Sequence, residues 1–160
     1  MTIATYKLTH CKMKTPIGDL GLTAGDHGLV RVSWRAKAGL VSKPDYPVLR
    51  SAVAALERYF ARGDDLAEVE LDLSPLPCFH REVLTILRAE VRYGETVSYG
   101  VLAAMAGRPG AARAVGNAMN RNPIPLFVPC HRVLAANGIG GLGPGADLKR
   151  HLLAREGVTL

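Results

Sequence analysis

The sequence predicts a mixed α/β (α+β) protein with a strand-rich first half and a helical second half. Strand-like runs joined by a glycine hairpin turn lie before residue 75, and apolar residues at helical spacing dominate after residue 76. A chain of 160 residues with 48% hydrophobic residues can form two small domains packed together. We therefore expect an N-terminal domain over residues 1–75 and a C-terminal domain over residues 76–160.

The first half is predicted to contain a β-hairpin and a helix. Residues 20–24 and 28–34 are strand-like runs, and Gly25-Asp26-His27-Gly28 between them is a typical hairpin connection. A helix is predicted over residues 48–62, because its apolar positions recur at helical spacing and Gly63 follows as a C-terminal stop.

A further strand and the domain boundary follow this helix. Residues 69–73 (VELDL) alternate strictly between polar and apolar, which predicts a strand with one buried face. Residues 74–77 (SPLP) interrupt both periodicities, so we place the boundary there. The next helix carries its apolar face from Phe79 to Leu87 and ends before the turn residues 92–95.

The centre of the second half predicts a helix-turn-helix. Ser98 is a candidate N-cap for a helix over residues 99–106, with Gly107 as its stop. Residues 108–110 (RPG) form the turn, and residues 111–120 form a second helix.

The second helix of this pair has little side-chain bulk. Ala111, Ala112, Ala114 and Gly116 leave much of its surface bare, and Arg113 projects alone. Such a helix packs against another helix in many proteins. At the recognition position of a helix-turn-helix, however, it suits the minor groove of DNA, with Arg113 inserted as a wedge.

The charge distribution is compatible with nucleic-acid binding. Residues 76–160 contain ten Lys and Arg against five Asp and Glu, whereas residues 1–75 contain ten against nine. Nearly all the basic residues of the second half are arginines, which suit phosphate contacts. A solvated basic surface explains the charge alone equally well.

The end of the chain carries the candidate nucleophile. Cys130 follows the short apolar run 126–128, as though a strand delivered it to the edge of a core. A glycine-rich loop over residues 138–145 then leads into a last helix over residues 147–156.

The three cysteines, Cys11, Cys78 and Cys130, are widely spaced, which favours free thiols over disulfides or a thiolate zinc site. With no apolar segment of membrane-spanning length and no secretory signal, a cytoplasmic protein without membrane attachment is expected.

A reactive cysteine needs a neighbouring base or positive charge, and His131 and Arg132 are the nearest candidates. Adjacent residues of an extended strand point to opposite faces, so either the chain turns sharply at Cys130 or a water links it to His131. Glu156, in the last turn of the final helix, opposes the helix dipole and is better placed if it holds a histidine.

These residues resemble the O6-alkylguanine-DNA alkyltransferases. The resemblance rests on the order and spacing of four segments and is detailed from about Phe79 to Glu156. The segments are Gly94-Glu95-Thr96-Val97-Ser98-Tyr99, Arg113-Ala114-Val115-Gly116, Asn122-Pro123 and Pro129-Cys130-His131-Arg132-Val133.

The resemblance implies a ribonuclease-H-like N-terminal domain and irreversible, single-turnover transfer of an alkyl group from O6 of guanine in DNA to Cys130. His131 becomes the base, acting through a water, and Glu156 orients it. Tyr99 faces the nucleotide phosphate and donates a proton to the guanine, and Asn122 ties the recognition helix to the active-site turn.

For DNA binding, the resemblance implies that Arg113 replaces the flipped base, with Tyr99, Ala111, Ala112 and Gly116 at the DNA. The expected lining of the base pocket is Met119, Val133, Gly140, Gly141 and Leu142. The loop 138–145 departs from the family, because it lacks the tyrosine often found beside this pocket.

The resemblance implies double-stranded DNA as the partner of a monomer that needs no cofactor. The sequence leaves open whether molecules cluster on DNA and whether O4-alkylthymine is a second substrate. A non-catalytic sensor of alkylated bases and a sequence-specific helix-turn-helix regulator are the alternatives. No metal is expected, because the spacing of the candidate zinc ligands matches no common motif. Those candidates are His10, Cys11, His27, Cys78 and His80.

Overall fold

The structure, a computed structural model, describes residues 7–41 and 44–160. Three strands form an antiparallel sheet in the order β1-β2-β3. Their bounds are Thr9–Thr15 for β1, Gly18–Gly25 for β2 and Gly28–Ser33 for β3. The predicted hairpin joins β2 to β3, and its closing pair is Gly25 and Gly28. Gly28 has a φ of 142°, and a Cβ there would lie 2.8 Å from the Glu70 carbonyl oxygen, so only glycine fits.

Helix α1, Pro47–Arg62, packs on this sheet. Proline at its first position costs no hydrogen bond, and Gly63 ends it in the left-handed conformation, with a φ of 73°. Its buried face contains Leu49, Ala52, Ala55, Leu56 and Tyr59. The predicted helix and its stop are confirmed.

The strand predicted over residues 69–73 is wrong. The structure has only an isolated parallel bridge between Leu29 and Leu71. The buried residues are Val69 and Asp72, three apart, rather than every second residue. The backbone of this segment hydrogen-bonds to β3 only at Leu29, so no ladder forms to impose the two-residue periodicity of a strand.

The second half is helical, as predicted. Strands β4 (Val97–Ser98) and β5 (Val133–Leu134) add one short parallel pair. Ser98 caps the helix-turn-helix, because its hydroxyl accepts a 3.1 Å hydrogen bond from the Val101 N–H. The helices are α2 (Cys78–Glu90), α3 (Tyr99–Met105), α4 (Ala112–Asn120) and α5 (Ala146–Arg155).

Two hydrophobic cores lie side by side, one under the sheet and one among the helices. The first core also contains residues from the second half of the sequence, namely Ile124, Leu126, Phe127 and Leu152. The segment that leads to Cys130 is therefore anchored in the core of the N-terminal half. Within the described ranges, no helix combines the length and apolar character needed to cross a bilayer.

Candidate active site

Cys130 lies at the start of a 3-10 turn, Cys130–Arg132, and is 6% exposed. No strand delivers it, so that expectation is wrong. The run Leu126–Val128 is not extended, and Leu126 adopts a positive φ of 72°. Because the backbone turns at Cys130, its side chain and that of His131 need not point to opposite faces. The geometric difficulty that an extended strand would create for a Cys130–His131 pair is therefore absent.

The carboxylate of Glu156 is the centre of a buried hydrogen-bond network. Its Oε2 accepts from His131 Nε2 and, at 2.7 Å, from the Tyr59 hydroxyl. Its Oε1 accepts from Arg132 Nε at 2.7 Å and from the Gly94 N–H at 3.4 Å. With four donors, this 4% exposed carboxylate is well compensated for its burial.

These donors fix the protonation of the His131–Glu156 pair. Burial alone would raise the pKa of Glu156, but the hydrogen bonds and charges of His131 and Arg132 lower it to about 2. An ionised carboxylate only accepts, so the shared proton lies on His131 Nε2. Burial lowers the pKa of His131, against the opposite effect of Glu156, so the imidazole is neutral at pH 7. Its Nδ1 is then free to accept a proton.

The thiol of Cys130 is subject to opposing effects. Burial raises its pKa, while a hydrogen bond from the Asn122 side chain and the charge of Lys149 lower it. The sequence predicts Arg132 as a source of positive charge for the thiol. Arg132 is instead committed to Glu156 and, at 2.8 Å, to the Val91 carbonyl. The resting sulfur is a thiol, and its reaction requires a base.

Lys149 is a site residue that sequence reasoning missed. It is completely buried, and its Nζ donates to the carbonyls of Val133 (2.5 Å) and Gly141 (3.0 Å). Burial lowers the pKa of Lys149 to about 8, against the opposite effect of Cys130. The sequence does contain a pattern that indicates this burial, because Lys149 shares a helix face with Leu152 and Leu153.

Asn122 connects α4 to the segment before Cys130. Its Nδ2 donates to the Val128 carbonyl at 2.9 Å, and its Oδ1 accepts from the Ile124 N–H at 3.0 Å. The side chain therefore bridges the residues after α4 and those just before the active-site turn. The same side chain lowers the pKa of Cys130 by hydrogen bonding.

A small cavity of about 50 Å³ lies beside Cys130. Three of the predicted pocket residues line it: Met119, Gly141 and Leu142. Trp34, from the bend after β3, also lines it and was not among the predicted site residues. The cavity is thus built from both halves of the chain.

Two predicted pocket residues do not line this cavity. Val133 is completely buried and pairs with Val97 across the short parallel ladder. Gly140 lies against Tyr99, since a Cβ at residue 140 would be 3.1 Å from the phenol oxygen. Tyr99 itself is half-buried, and burial raises its pKa.

The helix-turn-helix carries the candidate DNA-contacting residues. Ala111 caps α4, and Arg113 is exposed on the first turn of that helix. A Cβ at Gly116 would meet nothing within 4 Å, so this helix face is open. Met119, six residues after Arg113, reaches the cavity, so α4 spans roughly 9 Å from the exposed arginine to the pocket.

In the part of the chain that the structure describes, no three His, Cys, Asp or Glu side chains gather into a metal-binding set. His10 instead makes a 2.9 Å hydrogen bond with the Thr23 hydroxyl.

Comparison with known families gives two matches. Residues 78–158 match the DNA binding domain of 6-O-methylguanine DNA methyltransferase, and residues 6–73 match its ribonuclease-like domain.

Individual relatives agree over most of their length. The methylated-DNA–protein-cysteine methyltransferase of Methanosarcina acetivorans is 40% identical over 151 residues, 90% of this chain and 95% of that protein. The protein of the same name from Homo sapiens is 35% identical over 174 residues, 94% of this chain and 83% of that protein.

The solved structures extend this similarity to three dimensions. The O6-methylguanine methyltransferase of Mycobacterium tuberculosis superposes with a TM-score of 0.81 at 37% identity, covering 94% of this chain and 93% of that one. The OGT protein of the same organism, solved in complex with DNA, gives a TM-score of 0.80 at 39% identity and 92% coverage of both chains.

Proposed function

This chain belongs to the 6-O-methylguanine DNA methyltransferase family, and we propose that it repairs DNA by moving the alkyl group of an O6-alkylguanine onto Cys130. One observation carries the assignment of the site. The Cys130 thiol borders a cavity, and the next residue, His131, is a neutral imidazole whose Nε2 is fixed by an ionised carboxylate. Such an imidazole has Nδ1 available as a general base.

The transfer balances as a single displacement. His131 Nδ1 takes the Cys130 proton, through a water, and the sulfur attacks the alkyl carbon on guanine O6. The new S–C bond forms as the C–O bond breaks, and the electron pair of that bond goes to the guanine. Tyr99 donates a proton to the departing base, and the thiol proton ultimately restores the tyrosine. Because burial raises the pKa of Tyr99, this phenol holds its proton until the guanine takes it.

A buried sulfur requires an extruded substrate. Cys130 is 6% exposed, and guanine O6 lies inside the base stack of duplex DNA. The nucleotide must therefore rotate out of the helix to reach the sulfur. Arg113 is exposed on the helix whose other end reaches the cavity, so it fills the gap that the flipped base leaves.

The bare face of α4 supports a minor-groove approach. Ala111, Ala112 and Gly116 leave the helix backbone accessible, which a narrow groove requires. The product is a thioether that water does not readily cleave, and neither Cys11 nor Cys78 lines the cavity to take the alkyl group from it. Each molecule therefore reacts once.

The remaining parts of the proposal concern partners and organisation. Double-stranded DNA containing O6-alkylguanine is the proposed partner of a cytoplasmic monomer. We retain a division at residues 75 and 76, with the alkyl-transfer and DNA-binding residues in the second part. The segment that enters the first core then makes the two parts one working unit.

Intact mass spectrometry tests the proposal. After incubation with duplex DNA containing O6-methylguanine, the protein should gain one methyl group, and Cys130→Ala should gain none. Cys78→Ala is the matched control, because this thiol is exposed and lies outside the cavity, and it should react like the unmodified protein. Binding to the lesion without any mass gain would identify a sensor of alkylated bases instead.

A further inference from the structure

Trp34 brings the N-terminal half of the chain to the reacting sulfur. The indole is half-buried and lines the same cavity as Cys130. Met119, Pro125 and Leu142 add apolar side chains to the lining, and Asn120 and Asn122 add amide groups. A cavity that combines an aromatic wall and aliphatic side chains with a few amide groups suits a flat heterocyclic base, which stacks on the ring and hydrogen-bonds at its edge.

Backbone contacts on both sides hold Trp34 in place. Two residues before it, the Val32 N–H donates a 2.9 Å hydrogen bond to the Pro123 carbonyl, next to Asn122 of the active site. Two residues after it, the Ala36 N–H donates a 3.1 Å hydrogen bond to the Asp19 carbonyl on β2. The bend that carries the indole is therefore tied to the sheet on one side and to the active-site segment on the other.

Because the cavity is small, the Trp34 side chain limits the size of the group that fits beside Cys130. The cavity has a volume of about 50 Å³, whereas an engineered cavity that binds benzene has a volume of roughly 150 Å³. An alkylated purine enters only if the walls move apart. The indole is the largest side chain lining the cavity, so its position limits what fits beside Cys130.

We propose that Trp34 is a specificity-determining residue of the base pocket, whose indole packs against the alkylated guanine and restricts the size of the alkyl group presented to Cys130. This inference rests on the proposed function and deepens it, because it assigns the choice among substrates to a residue of the N-terminal half. Smaller residues at position 34 admit bulkier substituents.

The first test uses tryptophan fluorescence, since Trp34 is the only tryptophan in the chain. Cys130→Ala, which cannot react, is titrated with free O6-benzylguanine and excited at the red edge of the tryptophan band. The emission should change in intensity or wavelength and saturate. An emission that stays constant at concentrations that fully alkylate the unmodified protein would overturn the inference.

The second test compares substrates. Rate constants for O6-methylguanine and O6-benzylguanine are measured by intact mass in the unmodified protein, in Trp34→Phe and in Trp34→Ala. The benzyl-to-methyl ratio should rise on the order of tenfold in Trp34→Ala, as expected when a pocket gains room for a larger group. Trp34→Phe should lie between, and it keeps the test valid if Trp34→Ala does not fold.

The outcomes separate the two proposals. A protein that gains alkyl mass but keeps the same ratio in both folded variants contradicts the role of Trp34 alone. A protein that gains no mass from either substrate contradicts alkyl transfer itself.

Discussion

The hydroxyl of Tyr59 donates a 2.7 Å hydrogen bond to Oε2 of Glu156, joining residues 97 positions apart in the chain. The same oxygen accepts the Nε2 proton of His131. Burial and the charge of Glu156 raise the pKa of Tyr59, so this hydroxyl stays a donor. A residue of α1 thus helps to hold the carboxylate that orients the proposed base.

Replacing Tyr59 with phenylalanine tests this connection. The loss of a hydrogen bond to a buried charge should cost about 1.5–3 kcal/mol of unfolding free energy. Alkyl transfer should slow on the order of tenfold, as happens when an outer hydrogen-bond donor to a histidine-orienting carboxylate is lost. The pH dependence of the rate should also shift, because Glu156 would hold the imidazole differently.

Tyr93→Phe is the matched control for Tyr59→Phe. Tyr93 packs edge to face on Tyr59, but its hydroxyl donates to the Arg155 carbonyl at 2.9 Å and not to Glu156. Its loss should leave the pH profile of the reaction unchanged. An identical shift of the profile in both variants would mean that it reports the loss of any nearby hydroxyl and not the loss of the hydrogen bond to Glu156.

Acid should destabilise the protein through Glu156. Its folded pKa of about 2 lies below its ordinary value of 4.5, so in this window the unfolded state binds a proton that the folded state does not. Stability is therefore present above pH 4.5 and is lost as pH falls towards 2, by at most about 3 kcal/mol for this group. Urea unfolding at pH 6, 4 and 3 measures the loss, and Glu156→Gln should show a smaller one. An equal loss in Glu156→Gln would assign the acid sensitivity to other carboxylates.

Lys149→Met should make Cys130 less reactive. The ammonium group favours the thiolate, so its removal raises the pKa of Cys130 and lowers the thiolate fraction at pH 7. The pH dependence of iodoacetamide alkylation at Cys130, followed by peptide mass, should move to higher pH. Lys149→Arg keeps the charge and should move it less. An unchanged pH dependence of alkylation in Lys149→Met would mean that Lys149 has only a structural role.

Local signals predicted the elements that surround the site. The Gly25 to Gly28 hairpin, the Gly63 stop and the Ser98 cap each depend on residues a few positions apart, and the structure contains all three. The segment 69–73 failed because its alternation requires a neighbouring strand, and only Leu29 lies beside it.

Two of the site residues that the sequence did not predict depend on contacts between residues far apart in the chain. Tyr59 occupies an apolar position of α1 and is indistinguishable in the sequence from an ordinary core residue, because its partner is far along the chain. Trp34 follows a strand, and the hydrogen bond from Val32 to Pro123 joins this strand to the active-site segment, a contact between residues about 90 positions apart. Lys149 differs, since a lysine on the same helix face as two leucines is a local pattern that the sequence alone shows.

Gly140→Ala should disturb Tyr99. Residue 140 has a φ of 77°, and an added Cβ would lie 3.1 Å from the phenol oxygen and 3.2 Å from the Ala135 nitrogen. The strain in the left-handed region is about 1 kcal/mol, and the contact should displace the phenol as well. The rate of alkyl transfer, measured by intact mass, should fall clearly, while the midpoint of thermal unfolding should change little. Gly138→Ala is the control, because a Cβ there meets nothing within 4 Å and its φ is not positive.

Arg113→Ala should separate base flipping from chemistry. Arg113 is exposed on the first turn of α4, and Met119 near the other end of this helix lines the cavity, so in the proposed function the arginine enters the base stack and does not contact the sulfur. Extruding a base costs a few kcal/mol, which the inserted side chain offsets in part. Repair of O6-methylguanine in duplex DNA should therefore fall by tenfold or more, while the reaction with free O6-benzylguanine keeps its rate.

The control for Arg113→Ala must remove one exposed positive charge elsewhere. Arg62, in the last turn of α1, is exposed and pairs with Asp64 at 2.8 Å, so Arg62→Ala changes the net charge equally. A general electrostatic effect would lower the DNA affinity of both variants alike, and the effect would become smaller with added salt. Only Arg113→Ala should lose duplex repair at saturating DNA, since wedging acts after binding. Equal losses on duplex DNA and on the free base would make Arg113 a structural residue of the helix pair.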